Sequence, residues 1–158
     1  MAMSAAISLR YVPDDASPYG NPERQMDLAT APVYQLFFSC FMGDVDLVIA
    51  GADFRTSFGW VSTLGFGIGL LRSIRKLASE EVVRVGFTES EDWIEFRVQD
   101  LLVTTSCSYS TAIAAVSYDQ LLEVAKGALG ELLDELKPRY PALNRNPYLI
   151  DALSLVQG

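Results

Sequence analysis

The chain has 158 residues, 50% of them hydrophobic and 20% charged, which suits one folded domain over 1–158 with a sizeable core and argues against disorder. It contains no histidine, so neither a Ser–His–Asp or Cys–His centre nor a His-based zinc site can be built from it. Asp and Glu total 20 against 12 Lys and Arg, and the net charge of −8 disfavours a nucleic-acid partner and favours encounter with a basic protein.

Ile7 to Val12 alternates apolar and polar residues and reads as a first strand. Pro13 to Pro32 holds four prolines and reads as a long loop, functional or mobile. Val33 to Gly51 reads as a hairpin, with Gly43-Asp44 in a type II′ turn. That turn sets Met42 opposite Val45, Cys40 opposite Leu47 and Phe38 opposite Ile49, every pair apolar.

Trp60 to Ala78 has helical spacing through Trp60, Leu64, Ile68 and Leu71, with Arg72, Arg75 and Lys76 near its end, where cations suit the helix dipole. Its interior carries Gly65, Gly67 and Gly69, each costing about 1 kcal/mol against alanine. Close approach to a sheet or another helix compensates. The spacing fits neither GxGxxG nor GxxxxGK, so it is not read as a phosphate cradle.

Val82 to Tyr109 reads as a three-stranded meander. A four-residue loop, Thr88 to Glu91, sets Val85 opposite Ile94, Val83 opposite Phe96 and Arg84 beside Glu95. Gln99-Asp100 then turns the chain into Leu101–Tyr109. Val116 to Leu136 is the strongest helix. Ser117 with Gln120 makes a capping box, Val116 can staple onto Leu121, and a leucine stripe runs to Leu136 before Pro138. Asn146-Pro147 caps a short last helix to about Val156.

Strands and helices therefore come in blocks. The expected class is α+β: a largely antiparallel sheet of six strands in two βββ blocks, packed on two main helices plus a short C-terminal helix. The expected core includes Leu36, Phe38, Cys40, Leu47, Ile49, Val85, Ile94, Phe96, Leu129 and Leu133.

Cys40 and Cys107 are too few for a disulfide framework and neither lies in a CxxC, so both are expected as buried free thiols in a reducing cytosol. The first ten residues lack the charged-then-apolar pattern of a signal peptide. The longest apolar stretch, Trp60–Leu71, is shorter than the ~20 residues that span a bilayer. A cytoplasmic protein without membrane association is expected.

Carboxylates are the remaining catalytic candidates. Glu89, Glu91 and Asp92 cluster at one turn and Asp44 and Asp46 flank another, but acidic turns are ordinarily solvated. Thr88 to Asp92 lacks the alternating ligands and glycine of a calcium loop. No catalytic residue, metal or cofactor is assigned. A carboxylate-only hydrolase would need two of Glu89, Glu91, Asp92 and Glu95 in one pocket.

The second face of the meander collects Arg84, Trp93, Glu95, Arg97, Thr104, Ser106 and Ser108. An aromatic among paired charges has the composition of a protein-binding patch. Trp93 is the candidate anchor, with Arg84, Glu95 and Arg97 around it and Glu89, Glu91 and Asp92 steering a partner from the adjoining turn. A homodimer through Trp93, or through a strand edge at Ser106, Ser108 and Tyr109, is the competing expectation.

Four segments together carry a resemblance: Gly59-Trp60 opening a helix, the run Phe87-Thr88-Glu89-Ser90-Glu91-Asp92-Trp93, the strand to Tyr109, and the capped leucine-rich helix before Pro141. Over residues 33–140 the chain resembles small acidic bacterial domains of unknown function, some of them similar to immunity proteins of polymorphic toxin systems. The resemblance brings no catalytic residues. It implies a non-enzymatic protein that binds and blocks a toxin.

Overall fold

In a computed structural model, which describes residues 4–12, 21–56, 61–87 and 90–157, the chain forms two antiparallel four-stranded sheets and four α-helices. In the first sheet β1 (Ala5–Tyr11) pairs along its length with β2 (Met42–Ile49), placing Ile7 opposite Leu47 and Leu9 opposite Val45. Between them in sequence lies the short helix α1 (Val33–Phe38). Two short strands, β3 (Ala52–Asp53) and β4 (Val61–Ser62), pair with the two ends of β2 on its other side.

The helix α2 (Thr63–Lys76) follows directly. The second sheet is a meander of β5 (Val82–Gly86), β6 (Trp93–Gln99), β7 (Leu102–Cys107) and β8 (Ile113–Ser117), in that spatial order. Then come α3 (Tyr118–Arg139), a 3-10 turn at Pro141–Arg145, and α4 (Pro147–Gln157). The helices α2 and α3 pack on each other and on β1, and α2 also packs on β5. Phe66 of α2 stacks on Phe87 at 4.9 Å, so both sheets share one apolar core.

The class is thus α+β, with eight strands among the described residues rather than six. The meander has the expected register: Val83 faces Phe96, Arg84 faces Glu95 and Val85 faces Ile94. Alternation fixed it, because a one-residue slip would turn Val83, Val85, Ile94 and Phe96 to solvent. The next turn is made by Asp100 (φ 49°) and Leu101 (φ 72°), two left-handed residues as a type I′ hairpin requires. Ser117 Oγ accepts the Gln120 amide at 3.2 Å, so α3 starts where its capping box says. Asn146 Oδ1 accepts from the amides of Tyr148 and Leu149, and its Nδ2 donates to the carbonyls of Leu28 and Ala31. One buried side chain therefore caps α4 and ties down the described end of the long loop, whose residues 13–20 lie outside the described residues.

Four expectations are corrected. The hairpin over Val33–Gly51 does not form: Val33–Phe38 is helical and Gly43 sits inside β2, opposite both Tyr11 and Val61. A short uncharged apolar run reads equally as strand or helix, and the helix buries Leu36 and Phe37 where the strand would have buried Phe38. Phe38 is instead 49% exposed, while the other nine expected core residues are buried. Gly43 is glycine because of proximity rather than turn geometry, since a methyl there would overlap the Arg10 carbonyl oxygen.

The strand through Ser106 is no edge, because β8 covers it. That strand, Ile113-Ala114-Ala115-Val116-Ser117, is alanine-rich and carries little strand propensity of its own. Pro138 does not stop α3, which runs on to Arg139. Asp134, whose carbonyl loses its donor, is exposed, so water can replace the missing bond.

The glycine run of α2 splits by position. A methyl on Gly65 would overlap the Phe37 carbonyl oxygen and one on Gly67 would press into the Leu9 side chain, whereas one on Gly69 meets nothing. Close approach therefore explains two of the three. Gly65→Ala is expected to cost about 3 kcal/mol or more, because backbone must move. Gly69→Ala should stabilise by about 0.5–1 kcal/mol through helix propensity. Urea unfolding of the two variants checks the contrast, and equal effects would contradict it.

Candidate protein-binding surfaces

Among the described residues no element covers the outer face of the second sheet: Arg84, Arg97 and Ile113 are exposed and Trp93, Glu95, Thr104 and Ser106 half-buried. Glu95 is held between two arginines, accepting from Arg84 Nε at 3.0 Å and lying 3.5 Å from Arg97 Nη2. The Arg84 guanidinium rests over the Trp93 ring, 4.0 Å from its centre, where the ring's negative face attracts it. Trp93 is half-buried beneath this arginine. Ile113 on β8 belongs to the same face through its pairing with Ser106 and is 68% exposed. The expected grouping of Arg84, Trp93, Glu95 and Arg97 is therefore what the fold brings together.

The acidic turn is only partly described, and Glu89 lies outside the described residues. Glu91 is exposed. Asp92 is engaged: Ser90 Oγ donates to it at 3.2 Å and Ser108 Oγ at 2.9 Å, while the Trp93 amide donates to Ser108 Oγ at 2.9 Å. Ser108 thus clamps the turn against the end of β7 and fixes the backbone at Trp93. With Glu95 between arginines and Asp92 between serines, these two carboxylates point to different partners.

A third cluster lies inside. Glu23, in a 3-10 turn at Pro22–Arg24, is 2% exposed. It accepts from the Tyr11 hydroxyl at 2.7 Å and from the Phe41 amide at 3.2 Å, and the Tyr11 and Tyr140 hydroxyls bond to each other. The rings of Tyr11, Phe41 and Tyr140 meet edge to face. Burial, then the bonds to Tyr140 and Glu23, drive the Tyr11 hydroxyl far above the ordinary tyrosine range. Burial, reinforced by the Glu23 charge, pushes the Cys40 thiol up to about 12. A thiol at that value carries almost no thiolate at neutral pH, so Cys40 is packing rather than a nucleophile. Tyr109 is likewise raised, first by burial and then by neighbouring Cys107, Asp92 and Asp53, and its hydroxyl donates to the Phe54 carbonyl.

The fourth feature escaped the sequence reading. A groove of about 340 Å³ runs between α1, α2 and α4. Its α2 wall is Gly65, Ile68, Gly69 and Arg72, and its α4 wall is Tyr148, Asp151, Ala152 and Leu155. Both follow the i, i+3, i+4, i+7 spacing of a single helix face. Its exposed apolar rim includes Val33, Phe38, Tyr148 and Leu155. The signal was present: α4 has one charged residue, Asp151, in eleven positions, and is apolar nearly all round.

Among the described residues no three His, Cys, Asp or Glu side chains are grouped to hold a metal ion, and no helix is long and apolar enough to cross a membrane. Compared with known proteins, the chain matches no family model, no curated protein and no solved structure.

The raised groups set an alkaline limit. Each is neutral when protonated, and folding holds the proton more tightly than the unfolded chain does. Their contribution to stability is complete below the unfolded values, about 8.5 for cysteine and about 10 for tyrosine, and is lost as pH rises through the folded ones. Urea stability should therefore fall steadily above about pH 9. Absorbance titration should show Tyr11 and Tyr109 ionising only as the protein unfolds. Ionisation of all seven tyrosines near 10 in a folded protein would contradict this.

Proposed function

We propose that this chain is a non-enzymatic protein-binding domain that recognises a basic protein through the outer face of β5–β8. The observation that carries the reading is the uncovered Trp93 face, with its arginine-stacked indole, exposed Ile113 and Glu95 clamped by two arginines. Aromatic and arginine anchors inside a polar rim are the composition of binding hot spots. Side chains already held by one another lose less freedom on binding.

The net charge of −8 supports a cationic partner, and the exposed acids Glu80, Glu81, Glu91 and Asp100 border this sheet. The finer form of the proposal is a cytoplasmic immunity protein that blocks a basic toxin. It rests on the resemblance of the sequence and on this charge.

The test is co-expression with the product of the neighbouring gene, followed by binding and growth assays. A toxic, basic neighbour should be neutralised by the wild type. Trp93→Ala should weaken the complex by about 2 kcal/mol, mainly through faster dissociation, while Glu91→Gln should mainly slow association. A neighbour that is harmless, or a complex indifferent to Trp93→Ala, would contradict the proposal.

A further inference from the structure

The groove between α1, α2 and α4 shares no lining residue with the Trp93 face. Three observations bear on what covers it. Its floor has a gap at Gly69, where a Cβ would meet no atom, and its rim has a projecting knob in Leu155, 72% exposed. Its two charged residues, Arg72 and Asp151, have opposite sign, and among the described residues neither side chain forms an ion pair. The lining is therefore electrically neutral on a chain of net charge −8.

We infer that a second copy of this chain covers the groove, in a two-fold dimer that sets Leu155 of each copy over Gly69 of the other and Arg72 against Asp151 across the interface. A two-fold interface must be self-complementary, each patch supplying both halves of every contact. This groove does so twice over, with knob and gap and with cation and anion, each pair divided between two helix faces of the same spacing. A strongly charged partner would find no charge here to match. Two copies of an acidic chain repel, and a neutral apolar patch is where that repulsion costs least. The inference does not rest on the proposed function, because dimerisation leaves the residues of the β5–β8 face uninvolved.

Light scattering and sedimentation of the full chain test it. The wild type should be a dimer at micromolar concentration. Leu155→Glu and Phe38→Glu, at exposed positions, should give folded monomers with unchanged thermal unfolding at low concentration. Arg72→Asp and Asp151→Arg should each weaken the dimer tenfold or more, and the double variant Arg72→Asp/Asp151→Arg should restore it. Trp93→Ala should leave the dimer unaffected. A wild type that stays monomeric at about 100 µM overturns the inference. A dimer that survives Leu155→Glu, or a double variant no better than the singles, overturns it as well.

Discussion

One backbone residue holds the first half of this protein together. Phe41 joins α1 to β2 with a φ of 60°, the left-handed region that costs a side-chain-bearing residue about 1–2 kcal/mol. Everything around it offsets that cost. Its amide donates to buried Glu23, and its carbonyl accepts from both the amide and the hydroxyl of Thr63. Its ring is fully buried against Tyr11 and Tyr140. The reversal at Phe41 lets the chain leave a helix and enter β2 in register with β1 after a turn of only three residues, Ser39 to Phe41. Ser62, next to Thr63, places its hydroxyl 2.9 Å from the Phe37 carbonyl and 2.8 Å from that of Cys40, so the single proton is shared by two carbonyls at the end of α1. The turn at Pro22–Arg24, the α1–β2 junction, the start of α2 and the end of α3 thus meet at one residue.

What the sequence could show and what it could not follows from range. The β5–β6 register was legible because the pattern is local: apolar residues alternate with Arg84, Glu95 and Arg97, and only one register pairs like with like. The starts of α3 and α4 were legible because Ser117 and Asn146 act on amides two or three residues away. The junction at Phe41 was not. Glu23 reaches it from 18 positions earlier and Tyr140 from far later, and neither marks itself in composition. Gly43 looks like a turn residue in sequence because a glycine needed for another strand's closeness is indistinguishable there from one needed for its dihedral freedom. The alanines of β8 are a strand only because β7 offers them a paired edge.

The same distinction separates the two surfaces. The Trp93 face was visible as a stripe of alternate residues on neighbouring strands. The groove needs three helices, one of them misread as a strand, so no local pattern could assemble it. Its clue lay in the excess: α4 has more apolar residues than one buried face can use, and Phe38 is left on solvent once α1 turns helical. Charge is dense on α3 and on the acidic turns, while the groove carries only the opposed pair Arg72 and Asp151. The neutral apolar groove and the ordered polar face share no lining residue.

Glu23 and Thr63 act jointly through Phe41, one on its amide and the other on its carbonyl. A double-mutant cycle in urea unfolding, with Glu23→Ala, Thr63→Val and the pair, measures this directly. If both hold the same strained residue, losing one releases it and makes the other less useful, so the effects should fall short of additive by about 1 kcal/mol or more. Additivity within about 0.5 kcal/mol would instead show two independent contacts, with no strained residue held in common.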